Sequence, residues 1–138
     1  MKKEYKLSLE ELPRLTQDVL EEFSNGVIIL QGDLAAGKTT LVKAFAKKLG
    51  CDDVVTSPTF SLQQCYGDNI YHYDIYNHGL EHFIALGMLE ELEKEGLHFI
   101  EWGDDALIEL LESVGIDVMV IDIKKISDKA REYSICTH

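Results

Sequence analysis

The sequence has little positive charge. Only two arginines, Arg14 and Arg131, occur in 138 residues, and the formal net charge is −12. Broad nucleic-acid-binding surfaces rely on Lys and Arg side chains that neutralise phosphates, so this composition argues against such a surface. Phosphoryl transfer also often uses an arginine to stabilise transition-state charge, and this chain offers few. We therefore expect any involvement with RNA to go through a partner protein.

The chain also lacks the patterns of disulfide, zinc and membrane proteins. Its three cysteines, Cys51, Cys65 and Cys136, form no CxxC pair and are odd in number, which is typical of free thiols in a reducing compartment. His78 and His82 lie four residues apart, but no third ligand at zinc spacing accompanies them. No window is apolar for the length of a membrane span, and no signal-peptide core follows the first residues. These features predict a cytoplasmic protein.

The length and composition favour one compact unit. The 138 residues are 46% hydrophobic and 28% charged, as in soluble globular proteins. This length supports one core covered on both faces and is too short for a second catalytic domain. No repeat, low-complexity tract or interdomain linker occurs. We predict a single domain over residues 1–138.

One stretch carries a specific chemical pattern. Residues 32–39 read GDLAAGKT, which has the spacing G-x-x-x-x-G-K-[ST] of a phosphate-binding loop. The apolar residues 27–30 precede it as a predicted buried strand. After it, apolar residues recur at helical spacing until Gly50. The motif therefore lies between a strand and a helix, where a P-loop must lie, and the coincidence disfavours an ordinary strand-turn-helix with a chance lysine.

The chemistry of such a loop follows from its geometry. Successive backbone N–H groups and the helix N-terminus point at one anion and can hold a di- or triphosphate. Lys38 would reach the β and γ phosphates, and the Thr39 hydroxyl would coordinate the Mg²⁺ that bridges them. The sequence therefore predicts a nucleotide-binding protein.

Helical patterns occur at three further places. Ser8 and Glu11 resemble a capping box that opens a first helix, which ends before Gly26. Helical spacing over residues 80–95 predicts a second, with a break at Gly87. Asp104 is expected to cap a third, which Gly115 ends.

Strand patterns complete the predicted fold. Alternating residues predict a hairpin over residues 61–66 and 70–76, and another over residues 117–123 and 131–136 at a sheet edge. Residues 97–100 read as a short buried strand. This order of elements predicts an α/β fold, a single three-layer P-loop NTPase-like domain with a mixed, partly parallel sheet flanked by helices.

Acidic and hydroxyl side chains suggest the rest of a site. Glu101 directly follows the strand at 97–100, where a P-loop hydrolase needs an acidic Mg²⁺ anchor; a solvated glutamate is the alternative. Ser57 and Thr59 could reach the γ-phosphate or Mg²⁺ from a switch segment. Asp74 lies among aromatic residues, where an unpaired carboxylate is costly to bury, so it could hold or deprotonate the attacking water. Its alternative is a sheet-edge aspartate that faces solvent.

Four segments together carry a family resemblance. GDLAAGKTTLVKAFAKKLG, TSPTFSL, YHYDIY and IEWG, in this order and spacing, resemble the TsaE (YjeE) family of tRNA threonylcarbamoyladenosine biosynthesis ATPases. The resemblance covers nearly the whole chain. It implies a small bacterial ATPase that uses ATP and Mg²⁺ and works with the TsaD and TsaB proteins. Because a cis arginine is missing, we expect its ATPase activity to be weak alone and to rise with these partners. Those partners install threonylcarbamoyl on adenosine 37 of tRNA, and ATP hydrolysis resets or sustains their complex.

The resemblance also implies roles for individual residues. Asp74, Lys38 and Glu101 would be catalytic, Thr39 and Glu101 would hold Mg²⁺, and residues 57–60 would form a nucleotide-responsive loop. The residues expected to bind the nucleotide are Gly32, Asp33, Leu34, Ala35, Ala36, Gly37, Lys38, Thr39, Thr40, Thr59 and Trp102.

Two positions depart from the family pattern. Ala35 stands where glycine is common, which costs little if the local φ is negative. Asn77 stands where an arginine usually follows HxDxY, so a role for that arginine in hydrolysis or docking is in doubt.

Other functions share parts of this pattern. A regulatory GTPase would need an NKxD or TKxD segment, which is absent. A small-molecule P-loop kinase usually closes arginine-bearing lids, for which this chain has only two arginines. A nucleotide-gated adaptor with incidental hydrolysis remains a third possibility.

Overall fold

A mixed seven-stranded sheet organises the fold. The structure is a computed structural model that describes residues 2–32, 37–51, 63–67, 69–75, 81, 84–85 and 87–137. The strands are β1 (Lys2–Leu7), β2 (Gly26–Gln31), β3 (Gln63–Tyr66), β4 (Ile70–Asp74), β5 (Leu97–Glu101), β6 (Val118–Lys125) and β7 (Arg131–Thr137). Their order is β1-β7-β6-β2-β5-β4-β3. Within the described residues no helix is long and apolar enough to span a membrane.

The centre of the sheet is parallel and its margins are antiparallel. Strand β2 pairs in parallel with β5 and β6, and β4 pairs in parallel with β5. The hairpins β3-β4 and β6-β7 and the pair β1-β7 are antiparallel. The carboxyl ends of the parallel strands therefore meet at one edge of the sheet, where ligands bind in open α/β folds.

Helices cover both faces of this sheet. In the part of the chain that the structure describes they include α1 (Leu12–Glu22), α2 (Lys38–Lys48), α3 (Met88–Glu91) and α4 (Asp105–Ser113), with a 3₁₀ turn at Leu9–Glu11. Ile28 and Leu30 of β2 belong to the core under α1 and α2, while Val27 and Ile29 belong to the core under α4. This alternation of buried side chains produces three layers, and the predicted fold class is confirmed.

Local signals in the sequence set several helix ends correctly. The Ser8 backbone N–H donates to Glu11 Oε1 at 2.9 Å, as the capping-box pattern predicts. Asp104 Oδ1 accepts a hydrogen bond from the Leu107 N–H at 3.0 Å and so caps α4. Gly87 has a φ of +77°, which confirms the predicted break, because a side chain is strained in that conformation.

Three predictions about the elements need correction. Residues 2–7 carry no strand pattern in the sequence, yet β1 occupies one sheet edge and pairs with β7. The closing hairpin is therefore not at an edge: β7 lies between β1 and β6, and β6 also pairs with β2. The predicted helix over residues 80–95 is too long, because α3 ends at Glu91 and turns follow it up to β5.

Candidate nucleotide-binding site

The P-loop lysine lies buried between the loop and an indole ring. Lys38 begins α2 directly after Gly37, whose φ is +100°. Its ammonium donates to the Gly32 carbonyl oxygen at 2.8 Å and lies 3.8 Å from the centroid of the Trp102 ring. The residue is only 3% exposed. A desolvated cation beside a helix N-terminus is suited to bind an anion.

Thr39 and Glu101 meet at the carboxyl edge of the sheet. The Thr39 hydroxyl donates to Glu101 Oε2 at 3.0 Å. Glu101 is the last residue of β5 and pairs in register with Leu30 of β2, so the strand order carries it to the P-loop. The structure thus brings together the two residues expected to hold Mg²⁺; the metal role itself remains a prediction.

Asp74 lies on the strand next to Glu101. It ends β4, in register with Glu101, and it is partly buried. Residues two apart on a strand share a face, so Asp74 lies on the same side of the sheet as Ile70 and His72, toward α2. Strand β4 lies between β3 and β5, so Asp74 does not lie on an edge strand. Its role in hydrolysis stays a prediction.

Trp102 has an unusual backbone. Its φ of +71° makes it the only non-glycine residue with positive φ in the described part of the chain. Such a conformation costs free energy in a bulky residue and is often kept at functional sites. Here it turns the chain after β5 and lays the indole against the Lys38 ammonium, a cation–π contact. Trp102 therefore packs against the P-loop lysine, and its contact with a nucleotide is still a prediction.

A small cavity borders the other side of the P-loop helix. Its volume is about 190 Å³, and Gly37 and Thr40 form part of its wall. The rest comes from Leu9 and from the β6-β7 turn and its flank, including Arg131 and Tyr133. Arg131 Nη1 donates to the carbonyl oxygens of Ser127 and Ala130, at 3.1 and 3.3 Å. This arginine is thus tied to the turn.

One residue at the site was missed by sequence reasoning. His72 is fully buried, and its Nε2 donates to Glu101 Oε2 at 2.5 Å. The available signal was its position two residues before Asp74, on the same face of β4. That signal could not be used without knowing that β4 pairs with β5, because the pairing is not local in sequence.

Several predicted site residues cannot be compared with the structure. Asp33, Leu34, Ala35, Ala36 and Thr59 lie outside the described residues, as do Ser57, Asn77, His78 and His82. Predictions about the nucleotide-responsive loop and the two departures from the family pattern therefore stay predictions.

Comparison with known proteins identifies the family. A sequence model of the family described as threonylcarbamoyl adenosine biosynthesis protein TsaE matches residues 7–133. A Treponema pallidum protein named tRNA threonylcarbamoyladenosine biosynthesis protein TsaE is 39% identical over 120 residues, which cover 85% of this chain and 84% of the relative. A Bacillus subtilis protein of the same name is 39% identical over 109 residues, covering 77% of this chain and 66% of the relative.

The three-dimensional comparison agrees. The crystal structure of YdiB from Bacillus subtilis superposes with a TM-score of 0.73 and 28% sequence identity, over 98% of this chain and 84% of YdiB. The match includes both the sheet and the helices that position the P-loop. The chain therefore belongs to the TsaE family, whose members are of the P-loop ATPase type.

Proposed function

We propose that this protein binds ATP with Mg²⁺ and hydrolyses it in the biosynthesis of threonylcarbamoyladenosine in tRNA. The contact between Thr39 and Glu101, beside the buried Lys38, is the observation that carries the proposal. A hydroxyl, a carboxylate and an ammonium in this arrangement suit a triphosphate and its metal. The name of the Treponema pallidum and Bacillus subtilis relatives, tRNA threonylcarbamoyladenosine biosynthesis protein, supports the pathway.

The chemistry of Thr39 and Glu101 fits a magnesium ion. Mg²⁺ prefers oxygen ligands and usually takes only one or two from the protein, the others coming from phosphates and water. Thr39 can keep donating its proton to Glu101 and offer an oxygen lone pair to the metal. Bound there, the ion would neutralise charge on the phosphate oxygens. Among the described residues no cluster of three or more His, Cys, Asp or Glu side chains could hold a metal alone, so phosphate oxygens would complete the site.

Other residues of the chain would bind the phosphates, orient the attacking water and hold the nucleoside. Backbone N–H groups at the start of α2 would bind the phosphates, and Lys38 would exchange the Gly32 carbonyl for phosphate oxygens. Asp74, on the strand beside Glu101, would orient the attacking water. The cavity beside Gly37 and Thr40 offers space for the nucleoside.

Partner proteins would supply what this site lacks. Arg131 is tied to the β6-β7 turn, and Arg14 is exposed on α1. Neither arginine is available to the Glu101 end of the site without rearrangement, so we propose weak hydrolysis alone and faster hydrolysis with TsaD and TsaB. The net charge of −12 favours contact with tRNA only through that complex.

Two substitutions test the proposal. Lys38→Ala should weaken ATP affinity about 10- to 100-fold, because it removes a charged hydrogen-bond donor worth about 1.5–3 kcal/mol. Asp74→Ala should keep ATP affinity and lose hydrolysis. Calorimetry measures the binding, and steady-state phosphate release measures the turnover, each with and without TsaD and TsaB. Asp122→Asn, at an exposed carboxylate on β6, is the matched control that should change neither.

Each alternative has a distinct outcome. Equal loss of ATP affinity in both variants would remove the catalytic role from Asp74. Binding without stimulation by the partners would favour the nucleotide-gated adaptor. A phosphorylated small-molecule product would favour the kinase, and no binding of Mg·ATP at all would refute the proposal.

A further inference from the structure

Two histidine–tyrosine pairs lie on opposite faces of the same part of the sheet. His72 on β4 and His98 on β5 are both fully buried. The Tyr66 hydroxyl lies 2.9 Å from His72 Nδ1, and the Tyr73 hydroxyl lies 2.8 Å from His98 Nδ1. The two pairs share chemistry and burial, and the other ring nitrogen has a different partner in each.

The His98 pair ends on the backbone. His98 Nε2 donates to the Lys94 carbonyl oxygen at 2.8 Å, and Gln63 Nε2 donates to the Tyr73 hydroxyl at 3.1 Å. His98 and Tyr73 lie on the α4 side of the sheet, away from Thr39. His98 Nε2 thus ends on a backbone carbonyl and not on a side chain of the proposed metal site.

The His72 pair ends on a side chain of the proposed metal site. Glu101 Oε2 accepts hydrogen bonds from His72 Nε2 on β4 and from the Thr39 hydroxyl on α2. Behind the ring, the Tyr66 hydroxyl also lies 2.8 Å from Gln64 Oε1. Four side chains from β3, β4, β5 and α2 are thus joined in one chain: Tyr66, His72, Glu101 and Thr39.

Two donors on one oxygen fix the orientation of the carboxylate. The terminal torsion of a glutamate is broad, so one hydrogen bond from Thr39 leaves the carboxyl group free to rotate about that contact. The second donor, held by strand β4, removes this freedom and leaves Oε1 in a defined direction. Partners of this kind commonly tune metal ligands, and their loss costs about 10- to 100-fold in metal affinity.

We propose that His72, backed by Tyr66, is a positioning residue that holds the Glu101 carboxylate in the orientation required for the Mg²⁺ of bound ATP. This inference rests on the proposed function. His72 touches neither substrate nor metal and acts through Glu101. Its effect should therefore be on the contribution of Mg²⁺ to ATP binding and not on ATP binding as a whole.

The test compares ATP affinity in Mg²⁺ with ATP affinity in EDTA, by calorimetry on the full chain. The ratio of the two affinities isolates the metal contribution. His72→Phe should lower this ratio about 10- to 100-fold. His72→Gln, which keeps a donor for Glu101, should restore it to within a few-fold. The matched control His98→Phe removes an equally buried imidazole from the other face and should leave the ratio unchanged.

Two milder substitutions test the same inference in case His72→Phe does not fold. Tyr66→Phe removes one hydroxyl from the chain behind Glu101 and should lower the ratio about threefold to tenfold, the effect of one hydrogen bond. Tyr73→Phe removes the corresponding hydroxyl on the other face and should not change it. An unchanged ratio in both His72→Phe and Tyr66→Phe, or an equal loss in the His98 and Tyr73 variants, would overturn the inference. A wild-type protein that binds no ATP would instead overturn the proposed function.

Discussion

Replacement of Glu101 separates the charge of this carboxylate from its hydrogen bonds. Glu101 is 4% exposed, and its Oε2 accepts from the buried His72 imidazole and from the Thr39 hydroxyl. In Glu101→Gln a carbonyl oxygen can still accept both bonds, although without the negative charge. In Glu101→Ala no acceptor remains. The two variants therefore predict different losses of stability.

The magnitudes follow from the contacts. Hydrogen bonds to a charged group contribute about 1.5–3 kcal/mol and neutral ones about 0.5–1.5 kcal/mol, so Glu101→Gln should lower the free energy of unfolding by about 2 kcal/mol over two bonds. Glu101→Ala leaves two donors without an acceptor, and each unsatisfied donor costs about 1–3 kcal/mol, so this variant should lose about 4 kcal/mol. Both variants should lose about 10- to 100-fold in Mg²⁺-dependent ATP affinity, because neither presents a carboxylate to the ion.

Urea denaturation without nucleotide measures the stability, and calorimetry with and without Mg²⁺ measures the binding. Asp122→Asn is the control: this exposed carboxylate on β6 pairs in register with Gln31, and its change should stay within about 0.5 kcal/mol. Equal destabilisation by Glu101→Gln and Glu101→Ala would show that leaving the His72 and Thr39 donors without an acceptor carries no extra cost, and would refute this reasoning. Full Mg²⁺-dependent affinity in Glu101→Gln would refute the metal role.

Two further predictions concern His98 and Trp102. Burial lowers the pKa of His98 below its usual value of 6.5, so the unfolded chain takes up this proton first as the pH falls. Stability should therefore be lost below about pH 6.5 with a slope of up to about 1.4 kcal/mol per pH unit, and urea titrations of His98→Gln should lack this component. Trp102 is the only tryptophan of the chain, and the Lys38 ammonium lies 3.8 Å from its ring. Mg·ATP should therefore change its fluorescence emission as Lys38 turns to phosphate, whereas Lys38→Met should show no such change.

The parts of the fold that were predicted correctly have local signals. Strand β2 is a run of apolar residues next to a glycine-bounded loop, and α2 has a stripe of buried apolar residues that ends near Gly50. Strand β1 has no such signal: its sequence KKEYKL is mostly charged. It is ordered by pairing with β7 and by contacts such as the Tyr5 hydroxyl donating to Asp18 Oδ2 at 2.9 Å. Both depend on residues far away in the sequence.

The same limit applies to the site. The P-loop spacing and the strand that ends at Glu101 were enough to predict that Thr39 and Glu101 converge, because parallel strands end at one edge of the sheet. The sequence cannot say that β4 is the other neighbour of β5. The contact between His72 and Glu101 depends on that neighbour, and it was missed for this reason. The positive φ of Trp102 was also unpredicted, because only the surrounding contacts keep a bulky residue in that conformation.

The difference between the two histidines shows why burial alone does not indicate function. Each imidazole must find partners for both ring nitrogens, since an unpaired polar atom in the core is costly. His98 finds a backbone carbonyl, which folding fixes in any case, so its loss is felt only as stability. His72 finds one oxygen of a carboxylate, so the hydrogen bond that satisfies the buried ring also fixes the direction of the second oxygen. A buried polar pair is therefore a functional candidate when its last acceptor is a side chain at the ligand edge of the sheet.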